Sequence, residues 1–273
     1  MEQATQDYLS VPIWMKLLEY IFENKRIFGS QKREETVQNA LVHAGYDIAN
    51  GFQVWKFCIE HAESKESKLD LIDQVLRIPL LQVHVEDEGV AEAQKLLKQL
   101  EGDEAQRSKI PEREEAMKKA RSIARARASL ENKIAAFPVE SRLPGSGTND
   151  KGLAKLWYEY IQLECSNKSK SDYDEKRVTS VFERAVACCC LSANLWIQYL
   201  TFLDFRLKDN RLSLQMHERA VRNCPWSFNL WISYLRALER KVLKEADEPG
   251  KTLQLQQSVL TRALSCQFRD AQK

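Results

Sequence analysis

Any chemistry in this 273-residue chain has to come from a small set of side chains. Four histidines (His43, His61, His84 and His217) are scattered, with no carboxylate, serine or cysteine at a recurring spacing from them. General acid–base and nucleophilic catalysis need such partners within hydrogen-bond reach, so no catalytic set is predicted. Seven cysteines include the consecutive Cys188, Cys189 and Cys190 but no C-x-x-C pair, and adjacent thiols cannot serve as a separated ligand set for a metal ion. Neither a G-x-x-x-x-G-K-[ST] nor a G-x-G-x-x-G loop offers a phosphate cradle. The expectation is a chain that is no enzyme, holds no metal and uses no cofactor.

Two groups of residues could bind rather than react. Lys118, Arg121 and Arg125 recur at i, i+3 and i+7, with Lys119 and Arg127 beside them, so a helix would align these cations as a candidate RNA contact. Against that, Glu112, Glu114 and Glu115 precede them, and acid-before-base spacing is ordinary on a solvated helix. The six tryptophans could stack bases. Five of them, Trp14, Trp55, Trp157, Trp196 and Trp231, instead take equivalent places in a repeat, which makes them core. Trp226 alone is out of register and is a candidate for a partner surface.

The elements that would position these residues come from laying the chain on itself. Three segments open with Trp followed three residues later by Tyr: Trp157/Tyr160, Trp196/Tyr199 and Trp231/Tyr234. That spacing puts both rings on one helix face. A second helix follows each, written VTSVFERAV from Val178, LSLQMHERAV from Leu212 and LQQSVLTRAL from Leu255. Phe182 and Ala185 belong to its buried stripe. Arg184 to Arg219 and Trp196 to Trp231 are both 35 residues, so the two helices repeat as one unit. Ser192 and Ser227, four residues before their tryptophans, are expected N-caps, and Pro225 is expected to stop a helix at Cys224. Weaker copies begin at Trp14 and Trp55. Between Val90 and Phe137 the template gives way to two charged helices split near Pro111, whose apolar stripe is broken at Arg127.

Pro138 to Gly152 reads as a flexible linker, dividing the chain into 1–137, 138–152 and 153–273. A helix pair cannot bury its stripe alone, so the pairs must stack. The predicted fold is all-α, a right-handed α-solenoid. Glu164 with Arg184, and Glu239 with Arg262, are expected ion pairs within single repeats. Leu253, Leu255, Val259 and Leu264 of the last repeat are expected to expose a stacking face suited to self-association. Lys+Arg (41) barely exceeds Asp+Glu (39), so overall charge gives no case for non-specific nucleic-acid binding. With no 18-residue apolar run, a soluble chain with reduced thiols is expected.

The helix W-x-x-Y-x-x-[FL]-E followed by [VI]-F-E-R-A-[LV] resembles the half-a-tetratricopeptide (HAT) repeat. WYEYIQLE from Trp157 and VFERAV from Val181 carry that resemblance. Residues His217 to Arg240, with Arg222-Asn223-Cys224-Pro225-Trp226 as their most specific piece, resemble the family of the squamous cell carcinoma antigen recognised by T cells. The resemblance implies a nuclear scaffold that helps recycle the U4/U6 small nuclear RNP, with U4/U6 snRNP proteins and RNA as partners of the full-length protein. It also implies a homodimer through the C-terminal repeats and contacts with ubiquitin-specific deubiquitinases. A HAT scaffold of another RNA-processing complex, such as pre-mRNA cleavage, is the alternative. The family's RNA recognition motifs and acidic N-terminal stretch do not occur here, so a fragment is expected.

Overall fold

Apolar spacing at three and four residues becomes helix throughout the described residues, which contain no strand. The computed structural model describes residues 4–5, 10–83, 88–100, 109–142, 151–166, 173–244 and 249–268. None of its helices is long and apolar enough to cross a membrane. Contacts divide the chain into two units, one of 1–137 with 159–181 and one of 138–158 with 182–273.

The first unit begins with α1 (Val11–Glu23), α2 (Ser30–His43), α3 (Gly51–His61) and α4 (Lys65–Leu76). Here α1 packs on α2 and α3, and α3 packs on α4, burying Trp14, Leu18, Ile21, Trp55, Ile72 and Val75. Gly45 permits the tight turn before α3. A Cβ there would meet the Leu41 carbonyl at 2.5 Å and Trp55 Nε1 at 2.7 Å. That indole donates to the Gly45 carbonyl at 2.8 Å, pinning the turn to the helix it feeds. The charged stretch then forms α5 (Glu88–Leu100) and α6 (Ile110–Ala135), with Pro111 in the first turn of α6 as its fixed φ allows. Both helices pack on α4.

Arg127 corrects the expected break in the α6 stripe. Ala120, Ala124, Arg127, Glu131 and Ile134 are all buried, so the stripe runs through the arginine. The expected linker is corrected in part. Residues 143–150 lie outside the described residues, but Val139–Arg142 is a helical turn (α7), and Lys151 and Gly152 already belong to α8 (Lys151–Cys165). Residues 159–181, which the sequence grouped with the C-terminal block, pack with the N-terminal residues through Glu164 on Arg127.

The second unit repeats one arrangement. It contains the C-terminal end of α9 (Glu175–Cys188), then α10 (Ala193–Phe202), α11 (Asn210–Asn223), α12 (Phe228–Lys244) and α13 (Pro249–Leu264). The helix α10 packs on α11 and α12, α11 on α12, and α12 on α13. Trp196 Nε1 donates to the Cys190 carbonyl at 2.7 Å and Trp231 Nε1 to the Pro225 carbonyl at 2.9 Å, each six residues upstream. The indole therefore ties each turn to the helix after it. Phe182 stacks on Tyr199 at 4.9 Å between ring centres. The expected repeat core is buried at every position: Trp157, Tyr160, Phe182, Ala185, Trp196, Tyr199, Trp231 and Tyr234. Ser192 stands at the N-cap of α10 but its hydroxyl makes no cap bond. Its carbonyl accepts from Leu195 and Trp196 instead. Asp209 does cap α11, accepting from the Leu212 N–H at 2.9 Å.

Candidate functional site

Several strongly polar groups of the repeats hold helix to helix. Glu183 on α9 accepts from the Tyr199 hydroxyl (2.8 Å) and from Arg219 (3.0 Å), while the Arg219 guanidinium lies over the Trp196 ring at 5.4 Å. One repeat later Glu218 on α11 takes two bonds from Arg262 on α13 (2.8 and 3.0 Å), and Arg262 lies over Trp231 at 5.4 Å. Arg184 likewise lies over Trp157 at 5.1 Å. The acid of one second helix thus reaches the arginine of the next, and that arginine roofs the tryptophan of its own repeat. Thr261 stands where Glu183 and Glu218 stand, so α13 offers no acid of this kind.

These contacts correct the expected pairs within single repeats. Arg262 pairs with Glu218, not Glu239. Glu164, rather than reaching Arg184, lies between two other guanidiniums. Arg127 grips it through Nε (2.8 Å) and Nη2 (3.1 Å), and Arg177 Nε donates at 2.8 Å. All three side chains are buried. Burial alone pushes the Glu164 carboxyl up, but the two arginines outweigh it and hold the group below its ordinary value.

His217 also departs from expectation. It lies in a buried polar network that no fixed spacing announced. Its Nδ1 is 2.8 Å from the Ser213 carbonyl, and its Nε2 is 3.0 Å from the Ser233 hydroxyl. The Ser213 hydroxyl bonds Asp204, which also pairs with Arg240. A neutral imidazole with its proton on Nδ1 satisfies both neighbours. Burial first, with Arg240 adding to it, lowers the His217 pKa despite the Ser213 carbonyl and Asp204 pulling the other way. Serine, histidine and carboxylate meet here, but the imidazole is fully enclosed in the helix stack, with no room for a substrate. The other described histidines stack on aromatic rings. His43 stacks on Trp14 and His61 on Phe57, and His84 lies outside the described residues.

The His217 network gives stability a pH dependence. Between the lowered folded value and the unfolded value near 6.5, the unfolded chain binds more protons, so stability falls on acidification through that window. The urea midpoint of the wild-type chain is expected to drop between pH 7.5 and 5.5 by more than that of H217Q. Equal drops would detach the effect from this residue.

Five of the seven thiols are similarly enclosed, while Cys165 and Cys266 are half-buried. Burial pushes Cys58 and Cys224 up to about 12, which leaves them protonated and unreactive. Cys188, Cys189 and Cys190 are all buried, and no metal-ligand cluster occurs among the described residues.

What remains for binding is surface. On α6, Lys118, Lys119, Arg121 and Arg125 are exposed. Lys118, Arg121 and Arg125 make no ion pair among the described residues. Arg127, expected beside them as an RNA contact, is corrected: it is turned inward to Glu164 and cannot meet a ligand. Trp226 is half-buried. On α13 Leu253 and Leu255 are exposed, but Val259, expected with them as partner surface, is fully buried against the repeat core. Helical spacing places Leu253, Leu260 and Leu264 along one exposed line, with Leu255 on the opposite flank of the buried face.

Residues 97–264 match the family described as suppressor of forked protein (Suf). A stretch of 61 residues is 41% identical to a Danio rerio protein described as spliceosome associated factor 3, U4/U6 recycling protein. That match covers 22% of this chain and 6% of the fish protein, so the chain corresponds to a small part of that relative's length.

Proposed function

From the premise that the chain belongs to the suppressor of forked protein (Suf) family, we propose that it is a non-catalytic scaffold in pre-mRNA splicing. It works in the nucleus and docks proteins of the U4/U6 snRNP during recycling. One observation carries this reading. Among the described residues, the enclosed groups Glu164, Glu183 and His217, with the arginines facing the two acids, are spent on joining helices, which favours a role for the outer surface in binding. The similarity to the fish recycling protein supplies the snRNP. Affinity purification of the full chain from nuclear extract is expected to enrich U4/U6 snRNP proteins, while the chain alone leaves U4–U6 RNA annealing unaccelerated. Enrichment of cleavage factors in their place, or acceleration of annealing, would overturn the proposal.

A second reading rests on the unpaired cations of α6. Lys118, Arg121 and Arg125 would track a phosphate backbone, with Lys119 next to them. K118Q/R121Q/R125Q is expected to weaken RNA binding uniformly across sequences and to reduce its salt dependence.

Self-association through α13 is the third element of the proposal. Leu253, Leu260 and Leu264 present an apolar line that a second copy of the chain could cover. L253D/L260D is expected to convert a dimer into a monomer in light scattering without lowering the melting temperature. A wild-type chain that is monomeric at tens of micromolar sinks this element alone.

A further inference from the structure

Phe205 lies nine residues past Trp196, on the side of the helix away from the buried line of Trp196, Tyr199 and Leu203. The residue is 65% exposed. The backbone around it leaves the α-helix: Leu203–Leu207 is a π turn closed by the Lys208 N–H on the Leu203 carbonyl at 2.8 Å. Lys208 then turns left-handed at φ 56°. Such turns are costly and recur at functional positions.

The ring is held, not merely left outside. Arg240 places its guanidinium 5.8 Å from the ring centre, and Asp204 on the same turn fixes that guanidinium by an ion pair. Asp204 is fixed in its turn by the Ser213 hydroxyl. One face of Phe205 is therefore backed by an oriented cation, while most of the residue stays open to solvent. Arg206, Lys208 and Arg211 follow within six residues, all exposed and without an ion pair among the described residues. The acids of this segment are already engaged, Asp204 with Arg240 and Asp209 with the Leu212 N–H. Glu239, beside Arg240 on α12, is the exposed exception.

An open aromatic face among unpaired cations matches a flat, uncharged base joined to anionic phosphates. A protein partner would be expected to meet a broader apolar patch than one ring. We propose that Phe205 is a stacking platform for one base of single-stranded RNA, backed by Arg240, with Arg206, Lys208 and Arg211 meeting the neighbouring phosphates. This site is separate from the α6 cations and does not depend on the scaffold proposal.

Fluorescence anisotropy on the full chain, with labelled oligouridylate and oligoadenylate of about 12 nucleotides, tests it. F205A is expected to weaken binding about tenfold or more, with its salt dependence unchanged, while F205W keeps the affinity. R206Q/K208Q should instead lower the slope of log affinity against log salt by about 1.4. Matching circular dichroism and melting curves for F205A and the wild-type chain exclude misfolding as the cause. Failure of the wild-type chain to bind either oligonucleotide overturns the proposal, as does equal affinity for F205A. If F205A loses a co-purifying protein while keeping its RNA affinity, the ring belongs to a protein interface and the proposal falls.

Discussion

Replacing Glu164 with alanine is expected to destabilise the chain by about 3–5 kcal/mol, since it leaves buried guanidiniums without their carboxylate. Glu164 is fully enclosed, as are Arg127 (5% exposed) and Arg177 (2%) on either side of it. Arg127 keeps a bond to its own helix, at the Ile123 carbonyl, and Arg177 keeps a distant Asp174 at 3.9 Å. Neither replaces a charge-assisted bond at 2.8 Å. Urea unfolding at pH 7 checks the size of the loss.

A large loss for E164A would not mean that the cluster is a net source of stability. Desolvating three charges costs about as much as their attraction returns, and well-packed apolar replacements of such clusters are often neutral. The variant R127M/E164L/R177M is therefore expected to lie closer to wild type than E164A does. If E164A is mild, or the triple variant is worse than the single, the charges are not balanced as described. The pH dependence supplies an independent sign. A carboxyl held below its ordinary value contributes stability above the unfolded value near 4.5, and loses it as pH falls through the folded value. E164A should flatten the acid limb of the stability profile, while H217Q flattens only the region just below neutrality.

Much of this fold could be read from the chain because the repeat is local. Trp196 with Tyr199 and Trp231 with Tyr234 set a helix face within one turn, and the 35-residue offset set the stacking partner. The polar contacts were less legible because their partners are far apart in sequence. Arg127 meets Glu164 across 37 residues, and Arg113 meets Asp73 across 40. Judged by periodicity alone, a charge at a stripe position is a break. Only the opposing carboxylate makes it core. The Glu-Arg dipeptides stand at 183–184 and 218–219, but nothing in the sequence marks their pairing as running between repeats. The structure runs the bond to the next repeat, since glutamate and arginine of one dipeptide point to opposite neighbours. Surface residues were harder still. Phe205 carries the same sequence signal as Trp226, an aromatic out of register, but the turn that exposes it has no sequence signature. Val259 is the converse case: it is close in sequence to the exposed leucines, but its spacing with Ala263 puts it on the buried face.

Trp196→Ala is expected to cost about 3–5 kcal/mol, through the cavity it opens and the contacts that lose their anchor. The indole is fully buried, and three structural roles meet on it. It fills the space beside Tyr199, its Nε1 pins the Cys190 turn at 2.7 Å, and its face carries the Arg219 guanidinium that binds Glu183. Trp196→Phe separates these roles. It keeps most of the volume and an aromatic face for Arg219, but leaves the Cys190 carbonyl without its donor, so a loss of about 1–3 kcal/mol is expected. Trp226→Ala, at a half-buried position outside the repeat register, should cost less than either. The order Trp196→Ala, Trp196→Phe, Trp226→Ala in urea unfolding is the decisive observation. If Trp226→Ala proved the most damaging, the repeat tryptophans would not be what holds the helices together. If Trp196→Phe matched Trp196→Ala, the bond to the turn would outweigh the volume of the ring.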